Sequence, residues 1–343
     1  IRIRHKSKME CDRCVALLEK RRACNGDALL GVTEQLVKHV SGALAGLSHY
    51  HHDVETARCA YREAGLHSPA VGHATFDFAK ALTLPQFTNP PAQFYHMQNV
   101  QVKYFGILND GSKEFFDYYY REMDGGTGPD YVVNLLDDFF RRHAHCQPQH
   151  WILHADNAAS QNRNNLVLQY LLFVTATKRF GISQIELKFL VPGHTHTRVD
   201  GGFGQVLTVA RRHNIYTFDR LLELTRSVKH HGNALRKVAA DFKDWGTLLS
   251  SLMRKAEGVV RNSFGFAMRA DKPWVLLYQQ RSKDGLTGGL WKEMSLLVPR
   301  PSGLGSLSPE QLPLLTAPGI PHRKQWLLYD VTRHVIPDEQ GKE

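Results

Sequence analysis

Three aspartates and one cysteine pair are the residues of this chain whose types and spacing could do chemistry. Asp77 lies near the end of the apolar run VGHATFDF (71–78), Asp156 directly follows the run WILHA (151–155), and Asp200 closes the cluster HTHTRVD (194–200). Carboxylates are hard oxygen donors, and three that converge can hold two Mg²⁺ or Mn²⁺ ions about 4 Å apart. Such a pair activates an attacking oxygen and stabilises the leaving one in phosphodiester cleavage or strand transfer. Acids suit these ions better than the 19 histidines do. Glu122 and Asp124 are reserve acids. Asn157, Gln161 and Asn162 are placed to orient substrate or backbone, and His194 and His196 to act as donors behind the acids. Lys103, Arg163, Lys188, Arg198, Arg211 and Arg212 are candidate phosphate contacts. Each has a plainer alternative. Asp156 and Asp200 suit helix caps, Asp77 suits a pair with a core arginine, and any of these cations suits an exposed surface. Cys11 and Cys14, in CDRC, are half of a tetrahedral zinc site and set against two free thiols at a helix start. No second CxxC follows; the remaining ligand candidates are Cys24, His39 and the stretch HYHHD at 49–53, which otherwise reads as a solvated helix face.

The elements that must position these residues follow from hydrophobic period and punctuation. Residues 27–65 carry Leu29, Leu30, Val32, Leu36, Val37, Val40, Leu44 and Leu47 at helical spacing, a long helix or a helical pair. Val71–Phe78 reads as a strand, and Val100–Leu108 and Phe115–Arg121 as a hairpin across NDGSK, where Asp-Gly suits positive φ. MDGGTG lacks the lysine and spacing of a phosphate loop and reads as an ordinary loop before a helix, YVVNLLDDFFRRHAH. Then come strand 151–155, helix 166–180 stopped by Gly181, strand 185–191, and Pro192-Gly193 ahead of the histidines. Parallel strands joined by a crossover helix lie side by side with their carboxyl ends on one edge, where ligands of open α/β sheets sit. Asp156 and Asp200 are therefore expected as neighbours. Helices are expected from about Phe203, over 217–229 and over 234–257, then short strands (FGFAM, WVLLYQQ, LWKEMSLLV), a Pro/Ser-rich linker at 299–321 and a final strand in WLLYDVTRHV.

With 343 residues, a net charge of +10 and a hydrophobic content of 42%, the chain has the composition of a globular protein that favours polyanionic partners, DNA foremost. Five scattered cysteines do not form a secreted disulfide framework. There is no signal-peptide core and no apolar run long enough to span a bilayer, so no membrane partner is expected. The nucleus is the expected compartment, with the cytoplasm second; a homo-oligomer is compatible with this reading. The chain opens at IRIRHKSK without a Met, as a fragment or trimmed chain does.

Acid on the first strand, a hairpin, a helix, acid at the end of the fourth strand and a last acid at a following helix is the layout of the ribonuclease H-like fold. HADNAASQNRNN and FLVPGHTHTRVDGGFG resemble the uncharacterised, transposon-derived domain family of eukaryotes with motifs DNCxGQNKNN and PGHTxxxxDxxFG. TFDFAKALTLP is similar to its FDYAxxLxLP, and CDRC with a helix bearing His39, Ala57, Arg58 and Tyr61 to its preamble. The resemblance covers roughly residues 5–230 and implies a ribonuclease H-like core of transposase origin. Ala158, Ser160 and Arg163 depart from the motif where Cys, Gly and Lys are usual. The acids are spared, but a domesticated, non-cutting DNA-binding protein of the same fold is the alternative. A binuclear metallophosphoesterase, suggested by GHTH, would need D-x-H and GD or GNH at strand ends, which here read FDF and HADN. The expected organisation is a helical region with CxxC (1–68), an α/β ribonuclease H-like mixed sheet flanked by helices with trailing helices (69–257), and a small β-rich region (258–343).

Overall fold

The structure, a computed structural model, describes residues 11–65, 67–94, 97–144, 148–191, 193–194, 197–281, 288–299, 308–333 and 336. Among them are ten strands in one mixed sheet and eight α-helices. The chain begins with α1 (Asp12–Ala23) and α2 (Gly26–Ala64), a single helix of 39 residues. Helix α2 has no proline, and its buried positions His39, Ala43, Tyr50, Asp53, Val54 and Ala57 fall on one helical stripe.

Strand β1 (Val71–Phe78) is followed by β2 (Leu82–Leu84), β3 (Val100–Asn109) and β4 (Glu114–Arg121). Helix α3 (Pro129–His143), β5 (His150–Ala155), α4 (Asn165–Ala176) and β6 (Gln184–Phe189) come next, then α5 (Arg198–Ala210), α6 (Phe218–Arg226) and β7 (Asn233–Arg236). Helix α7 (Trp245–Leu252), β8 (Ser263–Arg269), β9 (Val275–Arg281), β10 (Gly288–Ser295) and α8 (His322–Thr332) complete the order. In space the strands run β10-β9-β8-β6-β5-β1-β3-β4-β7, with β2 on β3. β1, β5 and β6 are mutually parallel, and β3 is antiparallel to both β1 and β4.

Apolar residues of α3, α4 and α7 fill one face against Ala74, Phe76, Phe105 and Leu153. The other face carries α5 and α6 against Tyr104, Leu108 and Phe115, with Tyr50 and Val54 of α2 packed on Leu190 nearby. Burial on both faces leaves most of β1 and β5 inaccessible, including the polar residues His73, Thr75 and His154.

Several expectations are corrected. The segment 234–257 is not one helix: β7 and α7 divide it, Asp244 capping α7 by accepting from Thr247 N–H at 2.9 Å. Residues 326–332 of WLLYDVTRHV belong to α8, which starts after Pro321 and buries Leu328; their apolar positions alternate too weakly to make a strand. The three C-terminal strands continue the main sheet, β8 pairing antiparallel with β6. In the β3–β4 turn the positive φ falls on Lys113 (64°), whereas Gly111 is where Tyr61 of α2 presses, 2.3 Å from a would-be Cβ. Helix α5 starts at Arg198, five residues before Phe203, and Asp200 lies inside its first turn.

Candidate functional site: a carboxylate edge and a thiol–imidazole cluster

Asp77 and Asp156 are brought together by strand register. β1 and β5 pair in parallel from Val71↔His150 to Phe76↔Ala155, so Asp77 and Asp156, one residue further along each chain, are neighbours on one face. Adjacent backbones in a sheet run about 4.8 Å apart. Asp200 reaches the same place because α5 lies unusually close to that face. Gly106, the β3 partner of Asp77, has no side chain; a Cβ there would come within 2.4 Å of Phe203 and 3.4 Å of Val199. Gly202 of α5 is pressed against Phe115 in the same way, at 2.1 Å. The two glycines let the helix descend onto the sheet with the first-turn Asp200 beside Asp77.

Electrostatics record the convergence. Burial, then the neighbouring charge of Asp156 and that of Asp200, push the Asp77 carboxyl up to about 8, against the opposing pull of the Phe78 N–H and the Asn162 amide. Asn162 is fully buried; its Nδ2 donates to Asp156 Oδ1 at 2.7 Å and lies within hydrogen-bonding reach of Asp77. Its own Oδ1 is buried without a partner. Asp156 Oδ1 also accepts from Ala158 N–H at 3.0 Å, so it starts the loop to α4, but Asn164 caps that helix through Val167 N–H. Asp200 is the N3 acid of a capping box, its Oδ2 accepting from Thr197 N–H at 2.8 Å and Thr197 Oγ1 at 3.2 Å. Its cap role and its place beside Asp77 coexist, since a carboxylate has a second oxygen. No arginine of the described residues pairs with Asp77.

The flanking residues divide. Asn157 donates to Leu190 O and accepts from Arg163 Nη1 at 2.6 Å, tying the loop after β5 to the end of β6. Arg163 is not placed as a phosphate contact. Its guanidinium donates to the carbonyls of Val260, Arg261 and Ser263 at 2.7–3.0 Å. Lys188 is likewise held, 2.9 Å from Asp53 and 3.1 Å from Glu186, and both acids raise its pKa. Arg198 lies 3.4 Å from Asp110 with its side chain still 41% exposed. Lys103 meets Gln101; Arg211 and Arg212 stand exposed at the far end of α5, about 16 Å along the helix from Asp200. Gln161 is partly exposed in the loop before α4. Glu122 and Asp124 are engaged by Lys324 and Arg121 at the end of β4. His196 and Pro192 lie outside the described residues.

His194 is not behind the acids. Its Nε2 is 3.5 Å from Cys14 Sγ and 3.2 Å from His39 Nε2, and His39 Nε2 is 3.3 Å from Cys11 Sγ. The four ligand atoms lie within 4.8 Å of one another. Cys11 is the N-cap of α1, Cys14 stands in its first turn, His39 is on the buried stripe of α2, and His194 ends the turn after β6. Burial and Cys11 together push the Cys14 thiol up. Of the ligand candidates read from sequence, His39 joins the cysteines; Cys24 and His49–His52 do not.

A second polar cluster was missed by sequence reasoning. His73 joins Asp110 Oδ2 and His154 Nδ1 at 2.9 Å each, and Thr75 donates to the same Asp110 oxygen at 3.1 Å, all fully buried. Burial, the neighbouring His73 and Lys188 hold His154 neutral, well below the usual imidazole range. The alternation His73, Thr75, Asp77 along β1 was the available signal, since it puts three polar residues on one face.

These features define a mixed α/β protein with an acid-lined sheet edge beside a cysteine–histidine cluster. Residues 93–284, more than half of the chain, match the model of a domain of unknown function, DUF7869. The chain belongs to that family. Asp156, His194 and Asp200 fall within the match; Asp77, Cys11, Cys14 and His39 precede it. No curated protein and no solved structure matches the chain. No helix among the described residues is long and apolar enough to cross a membrane.

Proposed function

We propose that this chain is a transposase-derived nuclease that acts on DNA phosphodiesters, with Asp77, Asp156 and Asp200 holding two Mg²⁺ or Mn²⁺ ions. The observation that carries the reading is the meeting of three acids from separate elements at the carboxyl edge of parallel strands, with no arginine or lysine paired to Asp77 among the described residues. A buried acid held largely neutral by burial and then by neighbouring acids is a poor structural element but a good cation site, because a divalent ion offsets the lost hydration and reverses the repulsion. The strand order β4-β3-β1-β5-β6, with only β3 of these antiparallel to β1, supports a ribonuclease H-like core. The +10 charge supports a nucleic-acid partner and, with it, a nuclear location.

In this mechanism Asp77, Asp156 and Asp200 would hold the two ions, which would supply activation of the attacking oxygen and stabilisation of the leaving one. Asp77 and Asp156, on adjacent strand ends, form the rigid half of the site, and Asp200 closes it from α5. Asn162 holds Asp156 in orientation. Metal-dependent nicking of an end-labelled duplex by the wild type, abolished in Asp156→Asn, tests the reading. Asn is nearly isosteric and keeps the fold.

A second reading has its own observation. One oxygen of Asp200 is committed to the Thr197 cap, and the loop after Asp156 carries Ala158 and Ser160 where the resembled motif has Cys and Gly. A domesticated DNA-binding protein without turnover would bind the same duplex and leave it intact with every divalent ion tried.

A further inference from the structure

Cys11, Cys14, His39 and His194 come from three separate parts of the chain, with 28 residues between Cys11 and His39 and 155 between His39 and His194. Their ligand atoms nevertheless converge. A tetrahedral zinc with bonds of about 2.3 Å to sulfur and about 2.05 Å to nitrogen requires N···N separations of about 3.3 Å and S···N separations of about 3.5 Å. The observed separations are 3.2 Å for N···N and 3.3 and 3.5 Å for S···N.

Ordinary hydrogen bonding accounts for this less well. Each imidazole Nε2 has a single in-plane direction, occupied by one proton or one lone pair. Here His39 Nε2 has both Cys11 Sγ and His194 Nε2 within 3.3 Å, and His194 Nε2 has both Cys14 Sγ and His39 Nε2 within 3.5 Å. One direction cannot serve two partners well, but it can serve a common centre.

The backbone is built to the same end. Cys-x-x-Cys wraps the start of α1, from the N-cap Cys11 to the first-turn Cys14, so both sulfurs lie at one helix end. His194 is delivered by a turn closed by its own N–H to Val191 O at 2.9 Å. Gly193, at φ 79°, passes so near Cys11 that a Cβ would lie 2.6 Å from its sulfur. No other residue type fits that passage, and the close approach brings His194 over the two cysteines.

We infer that these four residues bind one structural zinc ion that clamps α1 and α2 to the turn between β6 and α5. Two thiolates with two imidazoles in a closed tetrahedral set select zinc over the hard ions of the carboxylate edge and leave no open position for catalysis. The clamp secures the turn six residues ahead of Asp200, so the ion has a positioning role. The inference stands independently of the proposed nuclease activity.

The test is metal content of the intact chain, purified without chelator and measured by elemental mass spectrometry. One zinc per chain is expected. Replacement by Co²⁺ should give the intense visible bands of a tetrahedral site with a sulfur charge-transfer band in the near ultraviolet. Cys14→Ser and His194→Ala should lose both metal and bands, whereas Cys24→Ser, Cys59→Ser and Asp156→Asn should keep them. Should a ligand variant fail to fold, titration of folded wild type with a mercurial thiol reagent should release one zinc as Cys11 and Cys14 react. A wild type that neither carries zinc nor takes up Co²⁺, or a His194→Ala variant with full zinc and unchanged bands, would overturn the inference. Zinc retained alongside absent nicking would refute only the nuclease reading.

Discussion

Replacing Asp77 by Asn should make the metal-free protein more stable, by an amount that grows from about pH 4 to about pH 8. The Asp77 carboxyl has an ordinary value of 3.8 and is pushed up to about 8 in the fold, chiefly by burial and then by Asp156. Because the folded state keeps the proton longer than the unfolded state, stability falls as pH rises between these two values. The whole interval corresponds to roughly 6 kcal/mol. Part of the side chain meets solvent, which screens the repulsion, so a gain of about 2 kcal/mol or more at pH 9 is the expectation for Asp77→Asn. Below pH 4 the aspartic acid is neutral in both states, and the two proteins should be equally stable. The assay is urea unfolding of wild type and variant in chelator at intervals from pH 4 to 9. Saturating Mn²⁺ should then remove the alkaline loss in the wild type and do nothing for the variant. Curves that stay parallel across the pH range would refute the reasoning, because the Asp77 carboxyl would then not be raised in the fold.

Gly202→Ala should destabilise by about 1–3 kcal/mol, since its Cβ would fall 2.1 Å from Phe115, whereas Gly204→Ala meets nothing within 4 Å and should stabilise α5 by about 0.5–1 kcal/mol; paired denaturant curves check both. Arg163→Ala should lower the unfolding midpoint yet leave the salt dependence of duplex binding unchanged, because its guanidinium is occupied by the Val260, Arg261 and Ser263 carbonyls. In NMR spectra the ring protons of His154 should titrate well below the usual imidazole range, where an exposed histidine has already taken up its proton. Its stabilising contribution is complete above 6.5 and is lost as pH falls below that value, since only the unfolded chain takes up the proton there.

What the sequence discloses is local. β1, β3, β4, β5 and β6 coincide with apolar runs bounded by turn residues, and α3 and α6 with clean helical periods, so the meeting of Asp77 and Asp156 could be reasoned from strand order alone. What it hides is reach across the chain. His194 looks like a companion of Asp200 because six residues separate them, yet the Val191–His194 turn sends it to His39, 155 residues away. Arg163 and Lys188 look like free cations until the carbonyls of 260–263 and the acids Asp53 and Glu186 close on them. β7 is only four residues long and sits between helices, too short to interrupt a helical period. Nothing local in DGGFG shows that Gly202 marks a surface on which Phe115 rests.

The central claim is that the three acids hold divalent ions, and Mn²⁺ binding followed by electron paramagnetic resonance tests it most directly. On zinc-loaded protein at pH 8, wild type should bind two Mn²⁺ per chain with the broadened signal of a coupled pair, and Asp156→Asn should lose that signal while keeping its zinc and its fold. Binding that is absent from the wild type, or that survives unchanged in Asp156→Asn, would contradict the account.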